Sequence, residues 1–208
     1  MGRKLGMGRM VAADGTIVST TVLSVGPCFV TQVKTPERDG YSSVQIGYEE
    51  STKLNKPELG HVAKSGTKVR HLREVNFDPA AGEVSVGDKF DASLFTAEEK
   101  VDVMGTTKGR GFAGSIRRYR FHGGPKTHGQ SDRWRAPGAI GAGTTPGRVY
   151  KGTRMGGRMG GTQVTTKRLV VLAVDVEKAL VAVRGAVPGP KGGLVLIKKS
   201  KPSGRRKR

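Results

Sequence analysis

One stretch of the sequence, residues 108–161, contains too few apolar side chains to form a folded core. It holds fifteen glycines and twelve lysines or arginines against one acid, Asp132, and its only branched aliphatic residues are Ile116, Ile140 and Val149. So little apolar surface cannot offset the entropy that a glycine-rich backbone loses when it becomes ordered. We therefore expect a partner outside the chain to order this stretch, which we call the arm.

The charge of the arm indicates the nature of that partner. A stretch with a net charge of +11 repels itself, and its compaction requires a dense array of negative charge. Rings that can stack on unpaired bases are interleaved with the cations. These rings are Phe112, Tyr119, Phe121, His122, His128, Trp134 and Tyr150. Because a membrane surface requires an apolar face that the arm lacks, the pattern predicts RNA as the partner.

We predict that the cations neutralise phosphates and that four of the rings stack on bases. The predicted phosphate-binding residues are Lys108, Arg110, Arg117, Arg118, Arg120, Lys126, Arg133, Arg135, Arg148, Lys151, Arg154 and Arg158. The predicted stacking residues are Tyr119, His122, His128 and Trp134. The alternative is a disordered basic linker, but rings are rare in such linkers, and Pro125, Pro137 and Pro146 stiffen glycine turns along the arm.

Outside the arm and a basic C-terminal tail, the chain is an ordinary globular body with a nearly neutral charge. Of the total charge of +20, the arm holds +11 and a tail at residues 198–208 holds seven cations and no acid, which leaves about +2 elsewhere. We predict three parts. They are a body of residues 1–107 and 162–197, the arm at 108–161, and the basic tail at 198–208.

Runs of β-branched residues and period-two alternation predict eight or nine short strands and one short helix. The predicted strands are Thr16–Val25, Cys28–Thr35, the alternating segment around Val44–Tyr48, Val69–Val75, Glu83–Val86, Val101–Met104, Leu169–Val174, Ala179–Val183 and Leu194–Ile197. A turn at 87–88 leads from the fifth of these into Lys89–Phe95. We expect the first three to form a meander and the helix to lie between Asn55 and Gly66. The predicted fold class is mainly β, an antiparallel barrel with the arm as a long irregular loop between two barrel strands.

Several kinds of chemistry are not expected. Cys28 is the only cysteine, which excludes an internal disulfide and favours a reducing compartment. Because Cys28 lies in the apolar run 27–30, we expect it to be a buried small side chain. No apolar run is long enough to cross a membrane, and no signal-peptide pattern begins the chain, so we expect a cytoplasmic protein. His122 and His128 lack further ligands for a metal, and no phosphate-binding loop or serine elbow occurs. We predict no catalytic residue, no metal, no cofactor and no small-molecule substrate.

Two rival functions share some of these features. An architectural DNA-binding protein is also basic, but it favours apolar wedges at the tip of its arm, where this chain has glycine and proline. An RNA-modifying enzyme needs clustered acids, cysteines or a cofactor loop, and the arm offers only Asp132. Both are less consistent with the sequence than a structural RNA-binding protein.

The chain resembles the bacterial large-subunit ribosomal protein L3 family. The resemblance extends over residues 2–197 and is carried by short motifs in a fixed order. These motifs are RKLGM at 3–7, TPERDGY at 35–41, NKP at 55–57, VMGTTKGRGFAG at 103–114, PGAIG at 137–141, TPGRVYKG at 145–152 and GAVPG at 185–189. One departure is the turn at 142–144, where many relatives carry a glutamine that is methylated in some of them and this chain has Ala-Gly-Thr.

The resemblance implies a barrel similar to those of translation factors, which lies on the outside of the large ribosomal subunit. It also implies an arm that passes between helices of the large-subunit (23S-type) rRNA toward the peptidyl-transferase centre, with residues 131–146, including Trp134, closest to it. Members of the family bind rRNA early in subunit assembly and neighbour other large-subunit proteins. We expect the same of this chain.

Overall fold

The computed structural model describes residues 1–12, 14–77 and 83–200. The chain divides into two compact units. The first unit comprises Met1–Gly105 and the residues from Val164 onwards. The second unit, Thr106–Gln163, contains the arm and two further residues at each end of it. Most of the predicted basic tail, residues 201–208, lies outside the described residues.

The described residues contain twelve β-strands and three α-helices. The strands are β1 (Gly2–Val11), β2 (Ile17–Ser24), β3 (Cys28–Lys34), β4 (Ser43–Glu50), β5 (Val69–Asn76), β6 (Lys89–Phe90), β7 (Lys100–Thr106), β8 (Phe112–Ala113), β9 (Gly157–Arg158), β10 (Gln163–Asp175), β11 (Leu180–Arg184) and β12 (Leu194–Lys199). The helices are α1 (Pro36–Asp39), α2 (Lys56–Val62) and α3 (Ser115–Tyr119), and short 3-10 turns occur at Ala63–Ser65 and Ala92–Leu94.

Six strands form the largest sheet, in the hydrogen-bonded order β1, β12, β7, β10, β11, β2. Within this sheet β1 pairs antiparallel with both β12 and β2. Inward and outward residues alternate along β7, where Val101 and Val103 are fully buried and Lys100 is exposed. Buried valines of β7, β10, β11 and β12 pack with Leu23 of β2 as the main hydrophobic core.

A second sheet has the order β5, β4, β3, β6 and packs on the first through apolar side chains. Cys28 and Tyr48 of this sheet lie in one cluster with Leu194 and Leu196 of β12. Cys28 is buried, as the sequence predicts. Arg3 of β1 also donates a hydrogen bond to Glu49 Oε2 in β4, at 2.5 Å, which holds the pKa of that carboxyl below its usual value. Apolar contact and this ion pair therefore join the two sheets.

The one helix that the sequence predicts between Asn55 and Gly66 is confirmed as α2. Asn55 and Glu58 form a reciprocal capping box, in which the Asn55 N–H donates to the Glu58 carboxylate at 2.9 Å. Pro57 lies in the first turn, where no backbone N–H is needed. The 3-10 turn that continues the helix ends at Gly66, whose φ of +68° suits glycine.

Two strand predictions need correction. The chain begins with a ten-residue strand, β1, that the sequence analysis missed because its glycines weaken the β signal and its stability comes from pairing with β2 and β12. No strand occurs at residues 83–86, where the Ser85 N–H donates to the Asp88 carboxylate at 2.8 Å in a turn. Within Lys89–Phe95 only β6 is a strand, and the 3-10 turn follows it.

The predicted meander of the first three strands is also wrong. β2 pairs with β1 and β11 in the six-stranded sheet, whereas β3 pairs with β4 in the second sheet. The chain changes sheets at Gly26-Pro27, which belong to no strand. The strands therefore divide between two main sheets instead of forming one. The prediction of a mainly β chain with antiparallel sheets is confirmed.

None of the described helices is long and apolar enough to span a membrane.

We expect Leu23→Ala to lower the free energy of unfolding by about 2–5 kcal/mol, because Leu23 is fully buried in the main core and its loss leaves a cavity. Ile17→Ala is the matched control, since Ile17 lies on the same strand and is 71% exposed. The measurement is urea denaturation of both variants. Equal destabilisation would contradict the assignment of the core.

Candidate nucleic-acid interface

The base of the second unit is a ladder of backbone hydrogen bonds between its outgoing and returning segments. The Thr107 N–H donates to Thr162 O at 2.9 Å, and the Arg110 N–H donates to Met159 O at 2.8 Å. In the other direction, the Met159 N–H donates to Gly111 O at 2.9 Å. The antiparallel pair β8 and β9 extends the ladder. The two ends of the arm are therefore held together by the backbone.

The second unit has almost no buried side chains. Within residues 106–163, all of which the structure describes, only Ala113 and Ser115 are buried. The ladder is a feature that the sequence analysis missed, although the glycine-rich segments at 108–111 and 156–161, the two ends of the arm, were a usable sign of close backbone pairing. Backbone hydrogen bonds thus order the base of the arm without an apolar core.

Two glycines are required where backbones approach closely. A Cβ on Gly160, whose φ is +72°, would lie 2.1 Å from Lys108 O in the ladder. A Cβ on Gly123, whose φ is +76°, would lie 2.6 Å from Trp134 O, beside the hydrogen bond from the Gly124 N–H to that same carbonyl. Neither position can hold a side chain without displacing the backbone opposite.

The cations of the arm are almost entirely on the surface. Eleven of the twelve predicted phosphate-binding residues are exposed, and Arg118 is partly buried. No ion pair forms within residues 106–163. The only acid there, Asp132, accepts a hydrogen bond from Ser131, which lowers the pKa of its carboxyl. The positive charge of the arm is therefore not neutralised inside the unit.

Two of the four predicted stacking rings are in contact with cations. Lys126 Nζ lies 4.2 Å from the centre of the Trp134 ring, and the Arg135 guanidinium lies 5.2 Å from it. The guanidinium carbons of Arg118 and Arg154 lie 5.0 and 5.6 Å from the centre of the Tyr119 ring. These distances fit cation–π attraction.

The other two predicted rings, His122 and His128, are exposed. His122 Nδ1 lies 3.1 Å from Gly123 O. Beside His122 a shallow cleft of about 400 Å³ opens, lined also by Arg133 and Pro137. An open cleft with a ring and a guanidinium has the size and chemistry to receive a nucleotide.

The described residues contain no group of three or more histidine, cysteine or acidic side chains that could hold a metal ion.

Arg118 connects helix α3 to the returning segment of the arm. Its Nη1 donates to Met155 O at 3.0 Å, and a Cβ on Gly157 would lie 2.7 Å from the same nitrogen. Arg120, just after α3, has a left-handed backbone with a φ of +61° and its N–H donates to Ile116 O at 2.8 Å. An arginine at this position is strained where glycine would not be.

We expect Gly160→Ala to disrupt the ladder, because the added methyl group overlaps Lys108 O and the left-handed backbone penalises it further. Hydrogen exchange of the Thr107, Arg110 and Met159 amides should accelerate about tenfold or more. The matched control is Gly109→Ala, where nothing lies within 4 Å of the new methyl group. Unchanged protection in Gly160→Ala would refute the ladder.

We expect Lys126→Ala to make the Trp134 ring more accessible, because Lys126 is the nearest cation to it. Trp134 is the only tryptophan in the chain, so quenching of its fluorescence by acrylamide reports on this ring alone. Lys151→Ala removes the same charge from another part of the arm and should leave the quenching constant unchanged. Equal quenching in both variants would contradict the contact.

Comparison with known proteins gives one consistent result. The family model described as ribosomal protein L3 matches residues 65–178. A protein of Roseiflexus sp. named large ribosomal subunit protein uL3 is 52% identical over 202 residues, which cover 96% of this chain and 96% of that protein. A protein of the same name from Herpetosiphon aurantiacus is 48% identical over 202 residues, which cover 96% of this chain and 95% of that protein.

A third relative with this name, from Trichormus variabilis, is 49% identical over 208 residues, with 99% of this chain and 98% of the relative covered. The similarity therefore runs through both units. Identity of about half over nearly the whole length confirms the resemblance that the motifs predict. The chain belongs to the ribosomal protein L3 family.

Proposed function

We propose that the chain is a structural constituent of the large ribosomal subunit in the cytoplasm, where it binds large-subunit rRNA as part of the ribonucleoprotein that carries out translation. The observation that carries this proposal is the charge of the arm. Residues 106–163 contain twelve cations, eleven of them exposed, against one acid, and no ion pair forms among them. Only a polyanion supplies enough negative charge at that density, and counterions released from it drive binding.

The twelve arm cations then contact phosphates, while Tyr119, His122, His128 and Trp134 face bases or support the cations that lie on them. The backbone of Arg120 supports the assignment of the arm cations to phosphates. Its left-handed backbone favours glycine, so an arginine there costs folding free energy that a phosphate contact offsets. The proposed role is therefore binding and positioning, without a catalytic residue, metal or cofactor.

The six-stranded sheet acts in this proposal as a barrel-like anchor, similar to the barrels of translation factors, on the outside of the subunit. The arm leaves it after β7 and returns at β10, which are neighbours in the hydrogen-bonded order. From that base the arm extends between rRNA helices toward the peptidyl-transferase centre, with residues 131–146 farthest along. Early binding of the chain would nucleate subunit assembly and present the body to neighbouring large-subunit proteins.

Arg120→Gly tests the proposal because it separates binding from folding. Glycine relieves the left-handed strain, so the free protein should be as stable as the wild type or more stable. The loss of one phosphate contact should weaken binding to protein-free large-subunit rRNA and make the dependence of log K on log salt shallower by about 0.7–0.9. The measurement is a binding titration of the full chain at several salt concentrations.

The control for this titration is Arg38→Ala, which removes an arginine of α1 that lies between Glu37 and Asp39 in the first unit. It should leave the salt dependence unchanged. Duplex DNA at the same phosphate concentration serves as the competitor, because an architectural DNA-binding protein would prefer it. If duplex DNA displaces the rRNA at equal concentration, the proposed function is wrong.

A further inference from the structure

The aromatic rings of the arm differ in how many cations are already in contact with them. Cations lie within 4.2–5.6 Å of the Tyr119 and Trp134 ring centres, two on each ring. A base that stacked on either ring would compete with those cations for its faces. In these positions the rings are already in contact with cations that the proposed function assigns to phosphate.

Phe112 and Tyr150 differ from Tyr119 and Trp134 because their rings are not in contact with cations. Among the phenylalanine, tyrosine and tryptophan residues of the arm they are the most exposed, at 83% and 62%. Within residues 106–163, neither ring has a cation or another ring in stacking or cation–π contact. A phenylalanine left in water forgoes about 1.5–3 kcal/mol of burial free energy, which a partner that covers it recovers.

The surroundings of Phe112 leave room for a flat partner. Its ring edge lies against the backbone at Gly156, where a Cβ would be 3.4 Å from the Phe112 Cε1 and Cζ atoms. On the outgoing segment, nothing lies within 4 Å of the position that a Cβ would take on Gly111 or Gly114. One edge of the ring thus lies near the Gly156 backbone, and most of the residue's surface is open to an approaching base.

Cations flank both rings along the chain. Phe112 pairs across the ladder with Arg158, which is exposed, and follows exposed Arg110 by two residues. Tyr150 precedes exposed Lys151 and follows exposed Arg148 by two residues. A ring with cations on either side matches the repeat of a single-stranded nucleic acid, in which each flat base is joined to a charged phosphate.

We propose that Phe112 and Tyr150 each stack on an unpaired RNA base, and that Tyr119 and Trp134 serve chiefly to position cations. The inference rests on the proposed rRNA-binding function and specifies which residues read unpaired nucleotides. The ligand class is single-stranded RNA in loops, bulges or junctions, because bases inside a helix have no free face.

Phe112→Leu and Tyr150→Leu test the proposal, since leucine keeps an apolar side chain but offers no aromatic face. Each variant should bind protein-free large-subunit rRNA about 5- to 150-fold more weakly than the wild type. The salt dependence should not change, because no phosphate contact is removed. Phe112→Tyr and Tyr150→Phe keep the ring and should bind as the wild type does. Ile140→Ala is the control for loss of another exposed apolar side chain of the arm, and it should also bind normally.

The outcomes are distinguishable from failure of the proposed function. If the wild type binds rRNA selectively and both leucine variants bind equally well, Phe112 and Tyr150 are not stacking residues, although the chain still binds rRNA. The stacking role is also refuted if leucine and tyrosine at position 112 are equivalent, because an apolar contact then explains the binding. If the wild type shows no preference for rRNA, both proposals fail. Tyr150 lies in no strand or helix, so its variants keep the test valid should Phe112→Leu alter the ladder.

Discussion

The second unit must fold against the mutual repulsion of twelve cations, and it has almost no hydrophobic core to oppose that repulsion. Only Ala113 and Ser115 are buried within residues 106–163, so hydrophobic burial supplies little free energy to oppose that repulsion. The first unit has the opposite balance, because it has a valine-rich core and, outside the basic tail at 198–208, a net charge of only about +2. The chain therefore joins a part that folds by burying apolar surface to a part that has a high positive charge and little buried apolar surface.

The arm is nevertheless partly organised in advance. Hydrogen bonds of the ladder close its base. The contact of Arg154 with the Tyr119 ring and the hydrogen bond from Arg118 to Met155 O link the outgoing helix to the returning segment. Such pre-organisation lowers the entropy that binding must offset, because fewer backbone and side-chain conformations remain to be lost. Glycine contributes to this organisation, because it permits close backbone pairing at the base of the arm.

Part of this structure could be predicted from the sequence, and the remainder depends on partners far apart in the chain. Alternation at Val101–Met104 and the capping residues around Asn55 are local signals, and both elements occur where expected. β1 is stabilised by strands at both ends of the chain, so its own glycine-rich residues do not reveal it. The composition of the arm likewise indicates that its cations are exposed. Only the three-dimensional structure shows that the Trp134 ring is in contact with cations and that the Phe112 ring is not.

The central claim is that the arm takes its final conformation from a polyanion around it, and trypsin cleavage tests this most directly. Trypsin cuts after lysine and arginine, and its action requires local unfolding of exposed backbone. In the free chain we expect rapid cleavage between Lys126 and Arg154, and in the complex with protein-free large-subunit rRNA we expect protection there. Resistance of this segment in the free chain, or equal cleavage in both states, would contradict the account.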